Sequence, residues 1–157
     1  MATTLAPPQH LAAWVSFMRS HAAITRELSA QLQREHCLTL NDYEVLLLLA
    51  RAEEGKLRRV DLAAQVVLTA SGITRLLDGL EQFGYVAKET CESDARVSYA
   101  KLTESGRRKL SEAAVTHLAG IDEVFTSRYS DDELETLAEL LSRLPTTGGD
   151  CNKPACG

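Results

Sequence analysis

The sequence predicts a mainly α-helical (α+β) chain with one small antiparallel sheet near its middle, and three observations predict it. From Ala70 to Phe83 the apolar residues Ile73, Leu76, Leu77, Leu80 and Phe83 recur at offsets 0, 3, 4, 7 and 10, one stripe of an α-helix. Directly after Gly84, the β-rich runs Tyr85–Lys88 and Val97–Leu102 enclose Glu89–Arg96, a polar span of hairpin-loop character. Long helix-compatible segments stand before and after this middle part. Helix, hairpin, helix is the order of a winged helix. The whole chain is therefore expected to run helix, helix, strand, helix, helix, strand, strand, helix, helix.

Each element has its own signal. Pro7 and Pro8 suit a helix start, and from His10 to about Glu35 a stripe of Leu11, Trp14, Val15, Met18, Ala22, Leu28 and Leu32 marks one long helix. Such a helix is longer than a small core needs, so it should pack against something beyond its own domain. Thr39-Leu40-Asn41-Asp42 has the form of a capping box, and the helix after it, Tyr43 to Ala50, is apolar nearly all round and should be the most buried. Arg51 to Gly55 is a polar exit, and Lys56-Leu57-Arg58 supplies a short third strand. Asp61 to Val66 is the first helix of a helix-turn-helix, joined by Val67 and Leu68 to the helix that begins near Ala70. Thr69 is the N-cap of that helix and Gly84 stands where a left-handed C′ residue is wanted. Thr103-Glu104-Ser105-Gly106 starts a long helix to about Arg128, with Leu110, Ala114, His117, Leu118, Ile121 and Phe125 on one side. Ser130 to Glu133 is a second capping box, and Leu134, Leu137, Leu141 and Leu144 follow at spacings 3, 4 and 3, a seam for another helix, before Pro145 stops it. Residues 146–157 are rich in turn formers without an apolar stripe and are expected to form a mobile tail.

A chain of 157 residues, 45% hydrophobic and 25% charged, can bury one core as an ordinary globular protein. No apolar run approaches the roughly 18 to 20 residues of a membrane span. The opening MATTLAPPQH lacks the basic and apolar regions of a signal peptide, so a cytoplasmic location away from membranes is expected. The net charge of −5 hides an asymmetry: residues 56–110 hold 10 Lys or Arg against 7 Asp or Glu, which is +3 and leaves −8 for the remainder. The basic excess lies on the segment with the Ala70 helix and the hairpin, where an electrostatic footprint for nucleic acid belongs. Cys37, Cys91, Cys151 and Cys156 show no C-x-x-C spacing and read as free thiols. His and Cys form no ligand cluster, so neither a metal nor a cofactor is expected.

Four stretches together resemble the MarR family of bacterial transcriptional regulators: L-T-x-S-G-I-T-R-L-L-D-x-L-E from Leu68 to Glu81, G-Y-V from Gly84, D-A-R from Asp94 and L-T-E-S-G from Leu102. In that family D-x-R lies in the wing and L-T-x-x-G opens the next helix. Asp94, Arg96, Leu102, Thr103 and Gly106 match that pattern in order and spacing. Ala95 stands where the family often has a second Arg, and Glu89, Glu92 and Asp94 make this wing acidic. The resemblance implies a winged helix-turn-helix regulator, usually a repressor released by a small ligand, often an aromatic acid. The two long terminal segments have seams the middle cannot cover, so a homodimer is expected through residues 8–36 and 104–144, with residues 39–103 as the DNA-binding lobe. Twofold symmetry would then set two reading helices roughly 34 to 36 Å apart on a pseudo-palindromic double-stranded site.

Ser71, Thr74 and Arg75 are the base and phosphate candidates, since short hydroxyls and a guanidinium reach base edges in the major groove. Thr69 is divided between capping and phosphate contact, and Gly72 would let the backbone approach DNA closely. Gly79 reads as a packing concession. At the hairpin tip Arg96 is the strongest single choice, because a guanidinium fits the negative potential of a narrow minor groove, and Asp94 would orient it. Lys88 and Lys101 flank the hairpin as phosphate candidates. Trp14, His21, Tyr43, Glu44 and His117 are polar-tipped or ionisable groups on helices; the family resemblance implies an effector cavity that they would line.

Two other readings compete. The acidic net charge and acidic wing would suit a winged-helix module for protein interaction, and Cys37 or Cys91 would be the thiols of a redox-sensing regulator. An enzyme is the weakest reading, because no G-x-S-x-G, H-E-x-x-H, P-loop or dinucleotide-binding glycine signature is present.

Overall fold

The computed structural model describes residues 9–66, 68–91, 94 and 96–145. In chain order these form α1 (Gln9–His36), α2 (Leu40–Arg51), β1 (Lys56–Arg58), α3 (Arg59–Gln65), α4 (Ala70–Gln82), β2 (Val86–Thr90), β3 (Ser98–Leu102), α5 (Glu104–Val124) and α6 (Asp131–Leu141), with 3-10 turns at Glu53–Gly55 and Thr126–Arg128. The order is the one the sequence predicts. The expected tail, residues 146–157, lies outside the described residues.

Side-chain caps fix where the helices begin. Thr39 and Asp42 satisfy each other's backbone N–H groups at the start of α2, and Ser130 and Glu133 do the same for α6. Thr69 accepts from the N–H of Gly72 and Thr103 from the N–H of Gly106, so α4 and α5 each open on a single hydroxyl. The end of α4 is a Schellman turn: the N–H of Tyr85 reaches the carbonyl of Leu80 and that of Gly84 the carbonyl of Glu81, both at 2.9 Å. Gly84 has φ +75°, which a residue with a Cβ adopts only with strain.

The sheet has the order β1-β3-β2 and is antiparallel throughout. Its register pairs Lys56 with Lys101 and Arg58 with Tyr99 on one side of β3, and Val86 with Leu102 and Glu89 with Tyr99 on the other. α2 lies at the centre of the core, with Val45, Leu46 and Leu49 fully buried against a cluster that includes Leu62, Leu77, Leu80, Val86 and Ala100. At the far side of the lobe, Gly106 in the first turn of α5 leaves no room for a Cβ, which would collide with the carbonyl of Tyr85. There the hydroxyl of Thr103 donates to the carbonyl of Gly84 at 2.6 Å, and the N–H of Thr103 to that of Tyr85 at 3.1 Å. Further along, Gly120 allows α5 to approach Gln31 and Leu28 of α1.

Several expectations are corrected. Phe83, the last residue of the α4 stripe, is 59% exposed, because the chain turns out of the helix at Gly84; Phe83 stacks on Tyr85 with ring centroids 5.7 Å apart. On α1, Leu28 and Leu32 of the expected stripe are buried, while Leu11, Trp14 and Met18 are exposed, in keeping with a helix longer than its own core needs. α5 ends at Val124 rather than near Arg128: Phe125 leaves helical geometry at φ −134°, ψ −70°, and the Thr126 hydroxyl donates to Asp122. The α5 stripe is correspondingly split, with Leu110 buried and Leu118 exposed. Gly79 is no packing concession, since a Cβ there would meet nothing within 4 Å. No single helix is long and apolar enough to cross a membrane among the described residues.

Candidate nucleic-acid interface

α4 presents its polar face at the N-terminal end because its apolar face is held down: Ile73, Leu77 and Leu80 are buried, whereas Ser71, Thr74 and Arg75 are exposed. Thr69 is committed to the cap, accepting from Gly72 at 3.1 Å with Ser71 Oγ 3.2 Å from its oxygen. Gly72 has a local reason as well, for a Cβ there would press on Thr69 Oγ1 and Leu68. The hydroxyl of Thr74 donates to the carbonyl of Ala70, leaving its oxygen lone pair and methyl group outward. Arg75 is the longest group on this face.

The sheet register sorts the lysines. Strand residues alternate between faces, so Lys88, opposite Ala100, shares the face of Val86, Ala100 and Leu102, which packs on the core and α4. Lys88 is exposed on that face, as is Thr90 beyond it. Lys101 and Lys56 belong to the opposite face, and both bind Glu89, at 3.1 and 2.9 Å. Register therefore sets the two candidates apart: Lys101 is in an ion pair, whereas Lys88 makes none among the described residues. Lys56 also meets Glu54 at 2.8 Å. The two carboxylates, hydrogen-bonded by these lysines, are held below the usual carboxylate range, and Lys56, bonded by Glu54 and Glu89, is pushed above the ordinary lysine value.

The same pairing decides which cations remain available. Arg58 grips Asp61 through Nε at 2.6 Å and Nη2 at 2.9 Å, and Arg59 lies 3.7 Å from Asp78, tying α3 to α4. Of the ten Lys and Arg in residues 56–110, four are thus in ion pairs, and six, Arg75, Lys88, Arg96, Arg107, Arg108 and Lys109, make none among the described residues. At the hairpin tip the carboxylate of Asp94 accepts from the backbone N–H of Arg96 at 3.0 Å, and the Asp94 carbonyl accepts from Val97 at 3.0 Å. Asp94 therefore shapes the turn through the backbone. The Arg96 side chain is exposed.

The five candidate effector residues do not converge. Tyr43 on α2 and His117 on α5 are in ring contact at 4.5 Å, and the buried Nδ1 of His117 has no hydrogen-bond partner among the described residues. Burial pushes the Tyr43 hydroxyl up and the His117 imidazole down from their ordinary values. His21 instead lines an open groove of about 680 Å³ on α1 with Thr25, Arg26, Ser29, Gln33 and Thr39. Trp14 and Phe17 continue from His21 as an aromatic row at 6.4 and 6.3 Å, and Glu44 is exposed. Cys37 is exposed at φ +57° after α1, and Cys91 is half-buried at the hairpin. Among the described residues no group of three or more His, Cys, Asp or Glu is placed to hold a metal.

A three-stranded sheet with a protruding hairpin beside an α3–α4 pair whose second helix bares a capped, hydroxyl-rich tip defines the class: a winged helix-turn-helix DNA-binding regulator. Comparison with known proteins agrees. The family model described as transcriptional regulator SarA/Rot matches residues 27–113, more than half of the chain. The HTH-type transcriptional regulator MhqR of Bacillus subtilis is 28% identical over 131 residues, covering 83% of this chain and 88% of the relative. The crystal structure of AbsC, a MarR family regulator from Streptomyces coelicolor, superposes with a TM-score of 0.79 at 29% identity, over 90% of this chain and 95% of that one. Sco3205, a MarR family regulator from the same organism solved in complex with DNA, gives 0.78 at 27% identity, over 84% and 82%. The chain belongs to the MarR family of winged-helix transcriptional regulators.

Proposed function

We propose that the chain is a homodimeric repressor that reads a pseudo-palindromic double-stranded site and is released by a small, aromatic-acid ligand. One observation supports this reading most: Ser71, Thr74 and Arg75 are exposed at the tip of α4, and Arg75, the helix-side Lys88 and the wing Arg96 make no ion pair among the described residues. In this reading Ser71, Thr74 and Arg75 face the major groove, Lys88 meets a phosphate and Arg96 enters the minor groove, while Thr69, Gly72 and Asp94 set the backbone that presents them. Sco3205 was solved on DNA, and the likeness extends that use to this lobe. Residues 8–36 and 104–144 form the dimer, which covers the exposed Leu11, Trp14 and Met18 of α1 and Leu140 of α6. The effector sits where α2 meets α5, with the unpartnered Nδ1 of His117 beside Tyr43 as its polar contact.

Footprinting of the purified chain on its own upstream region tests the first part. Specific protection is expected, with Arg75→Ala and Arg96→Ala each weakening binding about tenfold or more. A protein-interaction module would leave duplex DNA unprotected at every salt concentration. Thermal-shift screening of aromatic acids, repeated on His117→Phe, tests the second part. Mass spectrometry after mild peroxide, compared with DNA affinity, separates a thiol sensor from a ligand sensor; Cys37 or Cys91 oxidation is expected to leave affinity unchanged.

A further inference from the structure

The wing changes character along its length. β1 ends at the rung Arg58–Tyr99, so up to that rung the sheet has three strands, and beyond it β2 and β3 share the rung Thr90–Ser98 and one bond from the Cys91 N–H to the Val97 carbonyl at 3.1 Å before the turn that carries Arg96. A two-stranded ribbon is marginally stable alone, and its direction must be set at its root. Glu89 sits at that root, opposite Tyr99 on the last three-stranded row. Its Oε1 accepts from Lys56 of β1 at 2.9 Å and its Oε2 from Lys101 of β3 at 3.1 Å, so one carboxylate on β2 reaches both other strands. Lys56 is further fixed by Glu54 at 2.8 Å and lies 5.6 Å from the centre of the Tyr99 ring. A single exposed ion pair would count for little, but here two lysines on separate strands share one acceptor at the row where the third strand stops. The alternation of faces puts this clasp on the side of the sheet opposite Lys88.

We propose that Glu89 is a positioning residue of the wing: by clasping Lys56 and Lys101 where the sheet narrows from three strands to two, it sets the direction in which the hairpin presents Arg96. The inference rests on the reading above that Arg96 meets DNA. It also reverses the first impression of Glu89 as an acidic blemish on a DNA-binding wing, since its charge is taken up by the protein's own lysines.

The test combines two measurements on full-length wild type, Glu89→Gln, Arg96→Ala and the double variant, with Lys101→Met as a second way to open the clasp. Amide hydrogen exchange of Arg96 and Val97 in the free protein is expected to quicken about threefold to tenfold in Glu89→Gln and in Lys101→Met. Affinity for the footprinted duplex at fixed salt is expected to fall about threefold to tenfold in Glu89→Gln, and to be unchanged by the same substitution when Arg96 is already Ala. Tighter binding by Glu89→Gln in both backgrounds would mean that Glu89 merely repels phosphate, and would overturn the proposal. Equal weakening in both backgrounds, or exchange rates identical to wild type, would overturn it too. If Arg96→Ala alone leaves affinity intact, the minor-groove reading of Arg96 fails, and the exchange rates, taken without DNA, then decide the role of Glu89 alone.

Discussion

Ile73, Leu77 and Leu80 of α4 are at most 3% exposed, whereas Leu11, Trp14, Phe17 and Met18, which recur at the same helical spacing near the start of α1, are 39 to 59% exposed. Both stripes mark a helix. They differ in what closes over them. α2, α3 and the sheet enclose α4 within one lobe, and among the described residues nothing encloses the start of α1. Periodicity specifies a helix and its apolar face; it does not say whether the surface that receives that face is on the same chain.

The sharpest way to break this contrast is a pair of truncations. Leu77→Ala should cost about 2 to 5 kcal/mol of unfolding free energy, measured by urea denaturation, because it leaves a cavity in a closed core. Trp14→Ala should instead raise the concentration at which the chain associates, measured by sedimentation equilibrium, and lower the unfolding midpoint most at concentrations where the wild type is paired and the variant is not. Equal losses at every concentration would erase the distinction. A smaller effect compares two glycines: Gly106→Ala pushes a Cβ into the Tyr85 carbonyl and should cost about 1 to 3 kcal/mol, whereas Gly79→Ala, with nothing within 4 Å, should stabilise the chain by about 1 kcal/mol. Calorimetry of the two variants should show melting temperatures moving in opposite directions. Thr69→Ala, which removes the α4 cap, should cost about 1 kcal/mol and loosen the helix tip before the lobe, visible in exchange of the Gly72 amide.

The smallest expected effect is one of pH. Burial lowers the His117 pKa below its ordinary 6.5, so the unfolded chain takes up this proton first as pH falls. Stability contributed by the neutral ring is present above pH 6.5 and is lost as pH falls below that value towards the depressed folded pKa. His117→Phe should therefore flatten the acid limb of a stability-against-pH curve relative to wild type. A steeper limb in the variant would place the lost stability elsewhere.

Most of the fold was legible because its signals are local. Thr39, Thr69, Thr103 and Ser130 each mark a helix start within four residues of the group they satisfy, and Gly84 marks an end through its own backbone. The short third strand Lys56–Arg58 was found for the same reason, between a polar exit and a helix. The end of α5 escaped because no Gly or Pro stands at Phe125 to announce it. The partner of Glu89 escaped for a different reason: Lys56 is 33 positions away, and only the registers of β1 and β2 against β3 bring them together. Residue types named Ser71, Thr74, Arg75 and Arg96 as candidates, and the structure leaves all four exposed. Separating Lys88 from Lys101 required the pleat of the sheet.

Thr103 bonds Gly84 and Tyr85 while Gly106 abuts Tyr85, so the last turn of α4 and the first turn of α5 meet in a joint without slack. The turn that leaves α4 is thereby tied to the start of α5. α4 has 13 residues and is about 20 Å long, so a turn of about 5° at the joint swings its far tip by roughly 2 Å, enough to take a side chain out of hydrogen-bonding reach of a base. A tilt of α5 carried rigidly through this joint would be magnified at the tip of α4.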